Sequence, residues 1–323
     1  MENEIESIEI RFYRKEEGFT CNVRGDYALP FIIPEPYWSF YKKGKVISPE
    51  LEAPFGNSLY DKIFNSNERK RKITEILKNL TTGQSLNLSI FSDEPTLHEI
   101  PWELINKDGS PNGFLLKSGN ISITHTTSTI SNVPPARPPF RILIILSLPL
   151  AIYKEAPLDP LYELEIIYKA LEDYKDIVEI DVFEKASPSK IRERLIKSHY
   201  HIIHFTGHGL PGGLIFEKDE DYTEEAILKE KELKELFSGL NVNAIILDAC
   251  HTATGASLFD SSTALTVHEG RIPLVIANQS SVSDILATKS MREIYKNLFT
   301  DLPFRVLNDV RLSLQREWWK PVI

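Results

Sequence analysis

Cysteine is scarce. Cys21 and Cys250 are the only two in 323 residues, enough for one bridge but not for a disulfide framework. Two thiols in this length fit a reducing compartment. Long apolar runs are also missing. The longest, Ile142 to Leu150, is half of what a membrane helix needs, and Ser147 and Pro149 interrupt it. The N-terminus, Met-Glu-Asn-Glu-Ile-Glu, lacks the basic and apolar regions of a signal peptide. These absences predict a soluble, cytoplasmic chain without membrane contact. Positive charge is in deficit, with 37 Lys and Arg against 46 Asp and Glu and a net charge of −9. That balance argues against a general nucleic-acid binder, which normally presents a basic face. There is no internal repeat and no low-complexity segment. Gly207, Gly209, Gly212 and Gly213 lack the Lys-Ser/Thr of a phosphate-binding loop.

What remains is an ordinary globular composition, 42 % apolar and 26 % charged. The length suits one large α/β domain or a core with a subdomain. Val133–Pro139 holds four prolines in seven residues, which can neither continue a helix nor pair in a central sheet. It predicts a linker (133–139) between a β-rich N-terminal region (1–132) and a core (140–323). Upstream, 8–13, 85–91 and 121–127 read as strands and 68–80 as a helix.

Downstream, strands at 140–148, 177–183, 201–206, 243–248 and 272–277 alternate with helical spacing. One helix carries Leu161, Leu164, Ile167, Tyr168 and Leu171 at that spacing. Others are predicted at 187–197, 228–236, 249–256, 284–299 and 303–316. Alternation of this kind implies parallel crossovers, with helices on both faces of a three-layer αβα domain.

In open α/β sheets, function collects at the carboxyl ends of the strands. One strand leaves as His204-Phe-Thr-Gly-His208-Gly209 and another as Leu247-Asp248-Ala-Cys250-His251. A thiol attacks poorly until a nearby imidazole takes its proton. A glycine beside the histidine offers an unshielded N–H for an oxyanion, and the N–H of Cys250 is the natural second donor. His208 is therefore the candidate base, Cys250 the candidate nucleophile, and Gly209 with Cys250 the candidate oxyanion hole.

These residues resemble the caspase-like cysteine peptidases. Asp248-Ala-Cys-His251 is similar to the metacaspase site, and the wider pattern resembles the CHAT family. Matching pieces are Ile100-Pro-Trp-Glu-Leu-Ile105, the two strand ends, Val275-Ile-Ala-Asn-Gln-Ser-Ser-Val-Ser-Asp284, and the terminal Arg316-Glu-Trp-Trp-Lys-Pro-Val322. In order and spacing they cover roughly residues 85 to 323.

The resemblance implies peptide hydrolysis through a Cys250–His208 dyad and a thioester, without cofactor or metal. Asp248 would line the pocket for the residue before the scissile bond and favour Arg or Lys there. Asn278, Gln279, Ser280 and Ser281 would lie along an extended peptide. It also implies a regulatory sensor or repeat module, in cis or in trans, and a setting in prokaryotic antiviral defence or cell death. Two alternatives stay open: a non-catalytic interaction module of the same fold, and a thiol hydrolase or acyltransferase for small molecules.

Other groups carry blander expectations. His201 and His204 point to opposite faces of a strand and cannot easily share an ion. His199 and His201 read as solvated, and His251 as a wall of the site or a surface group. The run Glu217–Glu225 reads as a solvated acidic loop, lacking the glycine and terminal glutamate of a calcium loop. Trp102, Trp318 and Trp319 read as core.

Overall fold

A computed structural model describes residues 5–16, 18–35, 49–80, 84–118, 120–129, 136–153, 158–250, 261–278 and 284–298. The predicted helix at 303–316, Trp318 and Trp319 lie outside them, as does nearly all of the predicted 249–256. The chain divides into two compact units after Ser128.

The first unit holds strands β1 (Ile5–Lys15), β2 (Gly18–Val23), β3 (Leu29–Phe31), β4 (Ser85–Phe91) and β5 (Ile121–Thr126). Its helices are α1 (Pro49–Ile63), α2 (Asn67–Asn79) and the short α3 (Pro95–His98). The sheet order is β3-β2-β1-β4-β5, antiparallel from β1 to β3 and parallel from β1 to β5. Strict alternation in β4 buries Leu86, Leu88 and Ile90 and leaves the residues between them half-buried. Trp102 is fully buried against Phe12 and Phe31 within this unit's own core, and its Nε1 donates to Leu97 O at 2.7 Å. Buried Arg69 is held by Asp26 through bonds of 2.6 and 2.7 Å and donates to the Ile63, Cys21 and Tyr27 carbonyls.

The second unit is a five-stranded parallel sheet with helices against it. Its elements are β6 (Phe140–Ser147), α4 (Leu150–Tyr153), α5 (Pro160–Ala170), β7 (Val178–Phe183), α6 (Pro188–Lys197) and β8 (Ile202–Gly207). A three-stranded β-meander follows: β9 (Gly209–Leu210), β10 (Gly213–Glu217) and β11 (Glu225–Lys229). Then come α7 (Glu230–Phe237), β12 (Ala244–Asp248), α8 (Thr263–Glu269), β13 (Leu274–Ala277) and α9 (Asp284–Leu298).

The sheet order is β13-β12-β8-β6-β7, with every neighbouring pair parallel. β8 is buried along its whole length, as a strand covered on both faces must be. Leu143, Ile145, Ile203, Phe205, Ile245 and Leu247 share one core with residues of α6, α7 and α8. The alternate residues Ile144, His204 and Ile246 stand in register and face the other way. β7 follows β6 on one side of the sheet and β8 lies on the other. The carboxyl ends of β6 and β8 are therefore a topological switch point, the kind of place where open α/β sheets bind ligands.

The α/β alternation agrees with the sequence prediction, with three corrections. In α5, Leu164, Ile167 and Leu171 are buried while Leu161 and Tyr168 are 69 % and 49 % exposed; Glu163 takes a buried place instead. Leu228 belongs to β11, so the helix begins only at Glu230. Glu217 is the buried last residue of β10, not a solvated loop carboxylate.

Candidate active site

The register of β8 and β12 pairs Thr206 with Asp248. His208 comes directly after the last residue of β8 and Cys250 two residues after the last residue of β12, so both follow the carboxyl ends of adjacent parallel strands. Both are partly exposed.

Local structure fixes the histidine side. A Cβ on Gly207 would come within 2.6 Å of Ser147 O on β6, so only glycine lets the two strands close up there. His208 O accepts from Ile215 N at 3.1 Å. This makes Gly209–Leu214 the non-hydrogen-bonded pair of the β9–β10 ladder and turns the Gly209 N–H away from β10. The meander is in turn pinned to the end of β6: Ser147 Oγ and Leu148 N donate to the two oxygens of Glu217 at 2.7 and 2.8 Å.

Asp248 is buried, and Asn278, just after β13, donates through Nδ2 to its Oδ1 at 3.2 Å and to Ala249 O at 3.4 Å. Burial, followed by the nearby Glu163 carboxylate, pushes Asp248 up to about 7. Glu163 from α5, His204 from β8 and Asp248 from β12 each bring one ligand-type atom within 4.8 Å of the others. His204 Nε2 stands 2.9 Å from Glu163 Oε1, its Nδ1 lies 2.8 Å from the Tyr295 hydroxyl of α9, and Thr206 Oγ1 donates to Glu163 at 3.3 Å. Among the described residues this is the one group of His, Cys, Asp and Glu with the spacing to hold an ion.

Gln279, Ser280, Ser281 and His251 lie outside the described residues, so no geometry is assigned to them. His201 is half-buried rather than solvated; its Nδ1 accepts from Arg141 N at 2.9 Å, and its ring meets that of His199 at 4.7 Å. Neither Glu163 nor Tyr295 stood out in the sequence. The available signal for Glu163 was its place four residues before Ile167, on the buried side of an amphipathic helix.

A family model described as the CHAT domain matches residues 54–316. The chain belongs to the CHAT family. Within this CHAT chain the match begins inside the first unit, well upstream of the Pro-rich segment. In fold it is similar to the crystal structure of the Arg specific cysteine proteinase gingipain R, with a TM-score of 0.52 and 10 % identity over 99 % of this chain and 74 % of that one. A complex of Porphyromonas gingivalis RgpB pro- and mature domains aligns with a TM-score of 0.46 and 11 % identity, over 88 % and 72 % of the two chains. No curated protein matches. The family and the caspase-like fold are those of a cysteine peptidase. No helix among the described residues is long and apolar enough to cross a membrane.

Proposed function

We propose that this chain is a cysteine endopeptidase that cleaves after Arg or Lys. His208 takes the proton of the Cys250 thiol, and the thiolate attacks the scissile carbonyl carbon. The oxyanion forms beside the N–H groups of Gly209 and Cys250. Collapse expels the amine, which leaves with the proton held by His208, and water then hydrolyses the thioester. The observation that carries this reading is the parallel pairing of β8 with β12 up to Thr206–Asp248, because His208 and Cys250 each follow two residues beyond that pair. The outward turn of the Gly209 N–H supports the oxyanion assignment.

Asp248 supports the basic preference. It is a carboxylate two residues before the nucleophile with no lysine or arginine partner among the described residues, so a guanidinium or ammonium satisfies it. Asn278, Gln279, Ser280 and Ser281 would run beside the peptide. A cytoplasmic protein substrate, a sensor or repeat module that switches the site on, and a role in prokaryotic defence or cell death complete the proposal; family membership supports them.

The test is a mixed peptide library cut by the wild type beside Cys250→Ala and His208→Ala. Cleavage after Arg or Lys, lost in both variants, is expected. Cleavage that persists in Cys250→Ala would sink the dyad, and cleavage after other residues would sink the basic preference.

A further inference from the structure

The sheet face opposite the core shared with α6, α7 and α8 carries groups that the dyad chemistry leaves idle. β8 brings His204, which is fully buried, α5 brings Glu163 and β12 brings Asp248, 7 % and 8 % exposed. The histidine supplies the observation that points to a ligand. Its Nε2 lies 2.9 Å from Glu163 Oε1, yet the direction is wrong for a hydrogen bond, and the buried atom has no hydrogen-bond partner among the described residues. Its other nitrogen, Nδ1, is 2.8 Å from the Tyr295 hydroxyl. With the ring proton on Nδ1 and donated to that oxygen, Nε2 presents a bare lone pair beside the two carboxylates. Metal-bound histidines are held in this way, through the nitrogen that does not touch the ion. The carboxylates are held likewise. Thr206 Oγ1 donates to Glu163 at 3.3 Å, and Asn278 Nδ2 donates to Asp248 Oδ1 at 3.2 Å. Each of the three side chains thus has its own orienting partner, and a cation between them makes their convergence favourable.

We propose that Glu163, His204 and Asp248 form a divalent-metal site, with zinc as the ion that the donor set suits. Zinc takes imidazole nitrogen and carboxylate oxygen at about 2.0–2.2 Å, and tetrahedral angles at that length set ligand atoms about 3.3 Å apart. The present spacing is 2.9 Å between Nε2 and Oε1 and at most 4.8 Å within the group, so small side-chain rotations close the site. Two carboxylates and a doubly charged ion sum to zero, which compensates the buried charge. Water completes the tetrahedron. All three ligands belong to the second unit, and the ion ties α5 to two central strands. The ligands are distinct from Cys250 and His208, so the ion has no part in the proposed hydrolysis. Loading does engage Asp248, and it should therefore oppose cleavage after Arg or Lys. That consequence rests on the peptidase reading; binding of the ion does not.

The test uses the full chain carrying Cys250→Ala, which removes the thiol as a rival ligand, freed of metal with a chelator. Chelated protein is also the reference state for stability measurements on Asp248. Calorimetry should find one equivalent of Zn²⁺ bound with a Kd of about 1 µM or tighter. Added to this background, Tyr295→Phe keeps all three ligands and removes only the orienting hydroxyl, so the affinity should fall about 10- to 100-fold. Glu163→Gln removes a ligand and should cost about 100-fold or more. Zinc should raise the Tm of the parent protein and leave that of the Glu163→Gln protein unchanged at the same concentration. Should Glu163→Gln fold poorly, Tyr295→Phe decides.

No zinc bound in Cys250→Ala overturns the site. Binding undiminished by both Tyr295→Phe and Glu163→Gln places the ion elsewhere and overturns it as well. These outcomes leave the peptidase reading intact, because none of them measures cleavage. With Cys250 restored, zinc should slow cleavage after Arg, and Tyr295→Phe should raise the zinc concentration needed by the same factor as it weakens binding. Slowing at one concentration in both proteins would show zinc acting at the dyad and would overturn the antagonism.

Discussion

Replacing Asp248 by Asn should stabilise the protein, and the gain should grow with pH. In the unfolded chain Asp248 ionises near 3.8; in the folded chain it does so near 7. Between those values the folded state keeps a proton that the unfolded state has lost. Folding stability therefore falls as pH rises through this window and levels off above it. Three pH units at about 1.4 kcal/mol each set a ceiling of about 4 kcal/mol, of which about 2–3 kcal/mol falls between pH 5 and pH 8.

The Asp248→Asn change removes the titration but keeps an oxygen for Asn278 Nδ2, whose present bond is 3.2 Å. Urea denaturation of both proteins at pH 5 and pH 8 measures the difference. The variant's advantage should increase by about 2–3 kcal/mol across that range, or roughly 5–10 °C in Tm for a unit of this size. Equal pH slopes for the two proteins would refute the buried, proton-holding Asp248.

Two further substitutions probe how the histidine side is built. Gly207→Ala puts a methyl 2.6 Å from Ser147 O, which should cost about 1–3 kcal/mol in denaturation and lower activity further by shifting His208. A variant as stable and active as wild type would contradict the close approach. Glu217→Ala leaves the buried Ser147 hydroxyl and the Leu148 N–H without their acceptor, a loss of about 1–3 kcal/mol. Hydrogen exchange should quicken at Ile215, whose N–H holds His208 O; unchanged protection there would separate the meander from the histidine.

The second unit was legible because its strands are buried on both faces and read as apolar runs with helical spacing between them. The candidate residues His208 and Cys250 drew attention for the same reason: they follow directly on those apolar runs. What the sequence hid depends on tertiary contact. α1 carries Pro54 and Gly56, residues that read as breakers, yet Gly56 is needed because a Cβ there would overlap Leu104 O at 1.7 Å.

Glu217 sits at the head of an acidic run, and only the end of β6 explains its burial. Glu163 and His204 lie 41 residues apart on different elements, so no local pattern joins them; the side chains of β8 that face α5 do. Leu161 and Tyr168 kept the helical period while lying on the exposed side, a reminder that periodicity locates a face only when every member is apolar for the same reason.

The central claim is that Cys250 is a nucleophile activated by His208, and labelling tests it most directly. A lysine- or arginine-bearing acyloxymethyl ketone should add one equivalent to the wild type, mapped by mass spectrometry to Cys250. Cys21 should stay unmodified, since it is fully buried and burial pushes its thiol upward. Labelling should fall by about 10³-fold or more in His208→Ala. Undiminished labelling in His208→Ala, or modification confined to Cys21, would contradict the account.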